Sequence, residues 1–150
     1  MALREIVEHG AVVALVPLDR EGRVVLVRQF RLAARDVLLE LPAGGVESGE
    51  SIEEAAQREL REETGYQAGN FLRLGGFFVS PGYTTEFIHV FLARDLTEAA
   101  LDSDPDEDIV VERMGLGEAL SLIDSGRIQD AKSIAGLLLA ARFREGARGS

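Results

Sequence analysis

Glu59, Glu62 and Glu63 stand within five residues of one another in the stretch "RELREETG". Carboxylates this close repel one another, and burying any of them raises its pKa unless a cation compensates. Clustered oxygen donors of this kind suit a hard divalent ion, Mg²⁺ or Mn²⁺. A helix decides where they point. At about 100° per residue, with Glu59 at 0°, Ile52 falls at about 20°, Ala55 at about −40°, Ala56 at about 60° and Glu63 at about 40°. Glu59 and Glu63 therefore share the apolar face, while Glu53, Glu54, Gln57 and Arg61 take the opposite side. Arg58 can pair with Glu62 one turn on, but one guanidinium does not neutralise three carboxylates.

The "PAGG" bend before this helix adds what a helix lacks, a backbone carbonyl and, through Gly44 and Gly45, close access for a substrate. The spacing from Gly44 through Glu50, Arg58, Glu59, Leu60, Glu62 and Glu63 to Gly65 resembles the Nudix box, with Tyr66 where an aliphatic residue is usual. The resemblance implies a Nudix hydrolase with an α/β/α sandwich and a mixed β-sheet, using Mg²⁺ (Mn²⁺ as the alternative) to split a nucleoside diphosphate linked to another moiety. It also implies Glu59 and Glu63 as principal metal ligands, Glu62 and the Ala43 carbonyl as further ones, and Arg58 and Glu50 as orienting residues.

Beyond the box, "LVRQFR", "LELPAGGVE", "SPGYTTE", "DEDI" and "DAKS" are similar to segments of the ADP-ribose pyrophosphatase branch. The expected reaction is hydrolysis of ADP-ribose or a related nucleoside diphosphate sugar to AMP and ribose 5-phosphate. GDP-mannose or another dinucleotide is the alternative within the family, and a catalytically silent nucleotide sensor the alternative outside catalysis. Arg28 and Arg31 offer charge-assisted bonds to phosphates and Phe30 a stacking face. Pro81 and Glu86 are expected beside the substrate, and His9 and His89 are read as structural. By resemblance the general base, or an extra metal ligand, is a glutamate of the acidic loop. Glu107 matches best, with Asp106, Asp108 and Glu112 open.

These groups need a scaffold. "AVVALVPL" (11–18) and "RVVLVRQF" (23–30) read as a hairpin of strands covered on both faces. "VLLELPAGG" gives a short strand ending at Pro42, and 51–65 a helix with a Ser51/Glu54 capping box closed by Gly65. Residues 71–80 and 85–93 read as two further strands, "DSDPDEDIVVE" as an exposed acidic loop, and 115–126 and 130–143 as the last helices, followed by a frayed tail "REGARGS".

The 150 residues are read as one domain spanning the chain. A net charge of −10 with no basic block argues against nucleic acid or an anionic membrane as partner. The absence of cysteine excludes thiol catalysis and suits a reducing compartment. With no signal-like or bilayer-length apolar run, the expectation is a cytoplasmic enzyme, paired as a homodimer in the manner of its sugar-nucleotide relatives.

Overall fold

The computed structural model describes residues 3–99 and 108–148. Its centre is a four-stranded mixed sheet in the order β4 (Ala43–Gly45), β1 (Val12–Pro17), β6 (Phe87–Glu98), β5 (Tyr66–Phe78). β1 runs parallel to β6 and antiparallel to β4, while β5 and β6 form a long antiparallel pair. A second, antiparallel sheet is ordered β3 (Asp36–Glu40), β2 (Arg23–Arg31), β7 (Val110–Gly115).

Alternation along β1 explains why it is apolar at nearly every position. Val12, Ala14 and Val16 face one core with Val90, Leu92, Leu137 and Ala140, while Val13 and Leu15 face a second with Ala55, Ala56, Leu60 and Phe91. Helix α1 (Ile52–Thr64) covers the second face, and α3 (Ala131–Arg148) covers the first, next to α2 (Leu116–Asp124). Strand side chains alternate between faces, so a strand between two helical layers needs apolar residues at both parities. The α/β architecture with a mixed sheet follows.

Four sequence expectations change. β1 and β2 do not form a ladder with one another, because both edges of β1 are already taken by β4 and β6; just past β1, Leu18 makes an isolated bridge to Val24. β5 starts at Tyr66 instead of residue 71, directly after Gly65 closes α1 in the left-handed conformation (φ 75°). The end of the acidic segment, Val110–Gly115, is a strand, β7, held by β2 along its length. Finally, α3 continues to Arg148, through most of the tail expected to fray.

Candidate active site

Helix α1 begins as its sequence dictates. The Ser51 hydroxyl accepts from the Glu54 N–H and the Glu54 carboxylate accepts from the Ser51 N–H, which satisfies two otherwise orphaned donors. Ala55, Ala56 and Leu60 are fully buried against β1 and its neighbours, and this fixes the helix's rotation. The same rotation buries Glu59 to 9% and Glu63 to 7% exposure. The helical angles placed both there.

Arg58 organises the carboxylates. Its Nε and Nη2 donate to Glu50 at 2.9 and 3.0 Å, its Nη1 to Glu59 at 2.7 Å and Glu62 at 3.0 Å, and its Nη2 also to the Gly45 carbonyl at 2.8 Å. One guanidinium thus reaches three carboxylates, a wider grasp than the Glu62 pair expected from sequence. The Arg58 bond holds the Glu50 carboxyl below its ordinary pKa. Glu63 turns toward β4 instead, where its carboxylate accepts from the Ala43 N–H at 3.0 Å.

Gly44 completes this corner. A Cβ built there would collide with the Glu59 carboxylate, so only glycine lets β4 approach α1 so closely. The donors present, three carboxylates beside a backbone strand, fit a hard divalent ion chemically. Among the described residues, however, no three acidic or imidazole side chains converge tightly enough to hold one. Arg58 holds Glu59 and Glu62 in this arrangement, so a metal would have to exchange places with guanidinium bonds.

Beyond Gly44 and Gly45 opens a cavity of about 460 Å³, also lined by His9, Arg31, Glu40, Glu86, Asp130 and Lys132. Of the residues expected at the substrate, Arg31, Gly44, Gly45 and Glu86 therefore share one space. The others stand apart. Arg28 is paired with Glu112 across β2 and β7, and Phe30 is 57% exposed at the end of β2. Pro81 lines a separate cavity of about 310 Å³ with Arg4, Ile6, Phe78 and Tyr83. Glu107 and Asp106 lie outside the described residues; Asp108 is exposed and Glu112 is the partner of Arg28. His9 borders the main cavity and His89 packs on Phe87 beside Arg73, where burial and the nearby guanidinium lower its pKa.

Three charged residues of the cavity were assigned no role from sequence: Glu40, Asp130 and Lys132. Glu40 had a visible signal, since it interrupts the apolar run "VLLEL" on the face opposite to that of Leu39 and Leu41. Asp130 and Lys132 lie in "DAKS", one of the segments that carry the resemblance, but their approach to β3 was not readable there because it depends on how α3 docks.

Residues 8–137 match the model of the NUDIX domain family. The chain belongs to the Nudix hydrolases. An ADP-ribose pyrophosphatase of Bacillus subtilis (strain 168) is 42% identical over 132 residues, 87% of this chain and 71% of that protein. A GDP-mannose pyrophosphatase of Pectobacterium atrosepticum is 36% identical over 143 residues, 88% of this chain and 73% of that protein. The crystal structure of an ADP compounds hydrolase superposes with a TM-score of 0.85 at 26% identity, covering 91% of this chain and 74% of that one. This Nudix hydrolase, like an ADP-ribose pyrophosphatase in sequence and fold, keeps the box carboxylates and the cavity within the matched region. Among the described residues no helix is long and apolar enough to cross a membrane.

Proposed function

We propose that this chain, acting as one cytoplasmic domain, hydrolyses the pyrophosphate bond of ADP-ribose or a closely related nucleoside diphosphate sugar, giving AMP and ribose 5-phosphate. The observation that carries this reading is the buried pair Glu59 and Glu63 packed against Gly44 and Ala43 at the rim of the cavity. The names of the similar pyrophosphatases support the substrate class.

A pyrophosphate resists attack because its anionic oxygens repel a nucleophile. Held by Glu59, Glu62, Glu63 and the Ala43 carbonyl, Mg²⁺, or Mn²⁺ in its place, would neutralise that charge and acidify a water. Arg58, with Glu50, orients the helix carboxylates and tethers them to the Gly45 carbonyl. Gly44 and Gly45 let the diphosphate approach the backbone. Arg31 supplies positive charge on the cavity wall, and Glu86 accepts from substrate hydroxyls. Water adds to one phosphorus, the bridging oxygen leaves with the other, and the water's proton passes to Glu107 as general base. Arg28, Phe30 and Pro81 contact the more distant parts of the substrate.

GDP-mannose hydrolysis is the second reading, favoured by the 36% identity to a GDP-mannose pyrophosphatase. The complete set of box carboxylates speaks against a silent sensor. Product analysis on ADP-ribose, NADH, GDP-mannose, diadenosine polyphosphates and 8-oxo-dGTP, with and without Mg²⁺, separates these readings. ADP-ribose should be turned over fastest; a clear preference for GDP-mannose would overturn the substrate, and no turnover of any would overturn the activity. We also propose a homodimer, supported by exposed apolar side chains such as Ile6, Val7, Phe78 and Tyr83. A monomer mass by light scattering at micromolar concentration would refute it.

A further inference from the structure

The chain crosses from the second sheet to the first between Glu40, the last residue of β3, and Ala43, the first of β4. A strand that leaves its ladder loses the partners of its backbone N–H groups, and a buried N–H without a partner is costly. Pro42 has no N–H, so only Leu41 and Ala43 pose the problem. Each is met by a side chain from a different helical layer. The Leu41 N–H donates to the Ser133 hydroxyl oxygen of α3 at 2.8 Å, and the Ala43 N–H to the Glu63 carboxylate of α1 at 3.0 Å. Between them, the Pro42 carbonyl accepts from the Leu15 N–H of β1 at 2.9 Å.

The start of α3 is shaped for this contact. Ser133 is 0% exposed, and its own N–H donates to Asp130 Oδ2 in the first turn. Three residues on and on the same face stands Gly136, where a Cβ would lie 2.5 Å from Leu41 Cδ1. A glycine weakens the middle of a helix; what it gains here is room for Leu41, itself 1% exposed. Packing in that notch would hold the Leu41 side chain without any hydroxyl. The hydroxyl adds direction, because it fixes the plane of the peptide that carries the Leu41 N–H. Pro42 passes that direction on: its ring locks its own φ and confines Leu41 to extended backbone, so few torsions separate the Leu41 N–H from Ala43.

We propose that Ser133 is a positioning residue for the metal corner: by fixing Leu41 it sets Ala43, whose N–H meets Glu63 and whose carbonyl is the backbone ligand. This rests on the function proposed above for the role of that carbonyl, though not for the setting of the Ala43 N–H. Of the two anchors of the crossing, Glu63 is itself one of the carboxylates to be placed. Ser133, on the opposite layer, is the fixed reference.

The probe is Mn²⁺ alone, titrated by electron paramagnetic resonance, with residue-resolved amide exchange of the metal-free protein beside it. The Mn²⁺ affinity of Ser133→Ala should fall about tenfold, the lower end of the about 10- to 100-fold typical when a group that orients a ligand is removed. Exchange should quicken at Ala43 as well as at Leu41. Ala140→Gly, two turns along the same helix, is the control. It should keep Mn²⁺ affinity within twofold and show the acceleration of exchange that lost stability alone brings. A purely structural hydroxyl would quicken Leu41 and leave Ala43 at the control's rate. Ser133→Cys, with a weak acceptor in the same place, gives the same readouts should the alanine variant not fold. Mn²⁺ binding by the Ser133 variant within twofold of the wild type, or Ala43 exchange no faster than in Ala140→Gly, overturns the proposal. If the wild type takes up no Mn²⁺, the proposed function loses its metal and the Ala43 exchange alone decides for Ser133. If no nucleotide substrate is hydrolysed while Mn²⁺ affinity and Ala43 exchange still depend on Ser133, the function fails and the positioning stands.

Discussion

Gly44→Ala tests whether the corner between β4 and α1 is a site or a packing detail. The added Cβ would lie closer than 3.0 Å to Cδ, Oε1 and Oε2 of Glu59, where 3.4 Å begins ordinary contact. Gly44 has no positive φ, so the backbone itself tolerates alanine. The obstacle is the end of a flexible side chain, and the carboxylate can retreat. That retreat, of the order of an ångström, moves it away from its 2.7 Å bond with Arg58 and out of its place beside Glu63. The stability cost should stay near the lower end of the about 1–3 kcal/mol typical of inserting a methyl into a packed region. The rate should fall far more, because a 1 Å misplacement of catalytic groups costs about 100-fold. Steady-state kinetics on the best nucleotide substrate, with Mg²⁺ titrated and thermal melts alongside, separates the two effects. Gly117→Ala in α2, where a Cβ meets nothing within 4 Å, is the control: it should leave the rate unchanged and raise stability by no more than about 1 kcal/mol. If Gly44→Ala keeps kcat within twofold of the wild type, the close approach of β4 has no part in the chemistry.

Glu63→Gln should lower turnover by orders of magnitude with the fold intact, and chelation by EDTA should abolish wild-type activity; undiminished turnover in EDTA would remove the metal assignment. Glu107→Gln should lower kcat by about 10²- to 10⁴-fold with KM nearly unchanged. If Glu112→Gln or Asp108→Asn carries that loss instead, the base lies further along the loop. Burial pushes the Glu40 carboxyl up, but the bonds from Arg31 and Lys132 outweigh it and leave its pKa below the ordinary 4.5. Its ionised form therefore stabilises the fold fully above about pH 4.5, and the contribution disappears as pH falls through the lower folded-state value. Chemical denaturation should show the gap between wild type and Glu40→Gln constant from pH 7 to 5 and closing only below; a gap already closing by pH 6 would contradict the assignment.

The helix carboxylates were legible because an α-helix is a local object. Its period, its capping box and its apolar stripe reside in one stretch of sequence, so the burial of Glu59 and Glu63 could be read before any partner was known. The two-faced burial of β1 was legible for the same reason. Pairing was not. Nothing within "AVVALVPL" or "RVVLVRQF" says that β1 joins β6 and β4 while β2 joins β3 and β7, since strand partners are chosen by hydrogen bonds between distant segments. β7 was hidden by the charges beside it, because "VVERMG" becomes a strand through the edge that β2 offers. The largest gap lay in the cavity wall. Glu40 and Lys132 are separated by 92 residues, and the docking of α3 on the sheet is what brings ammonium to carboxylate. Periodicity reports which face of an element is buried; which charges meet across that buried face is decided only when the elements pack.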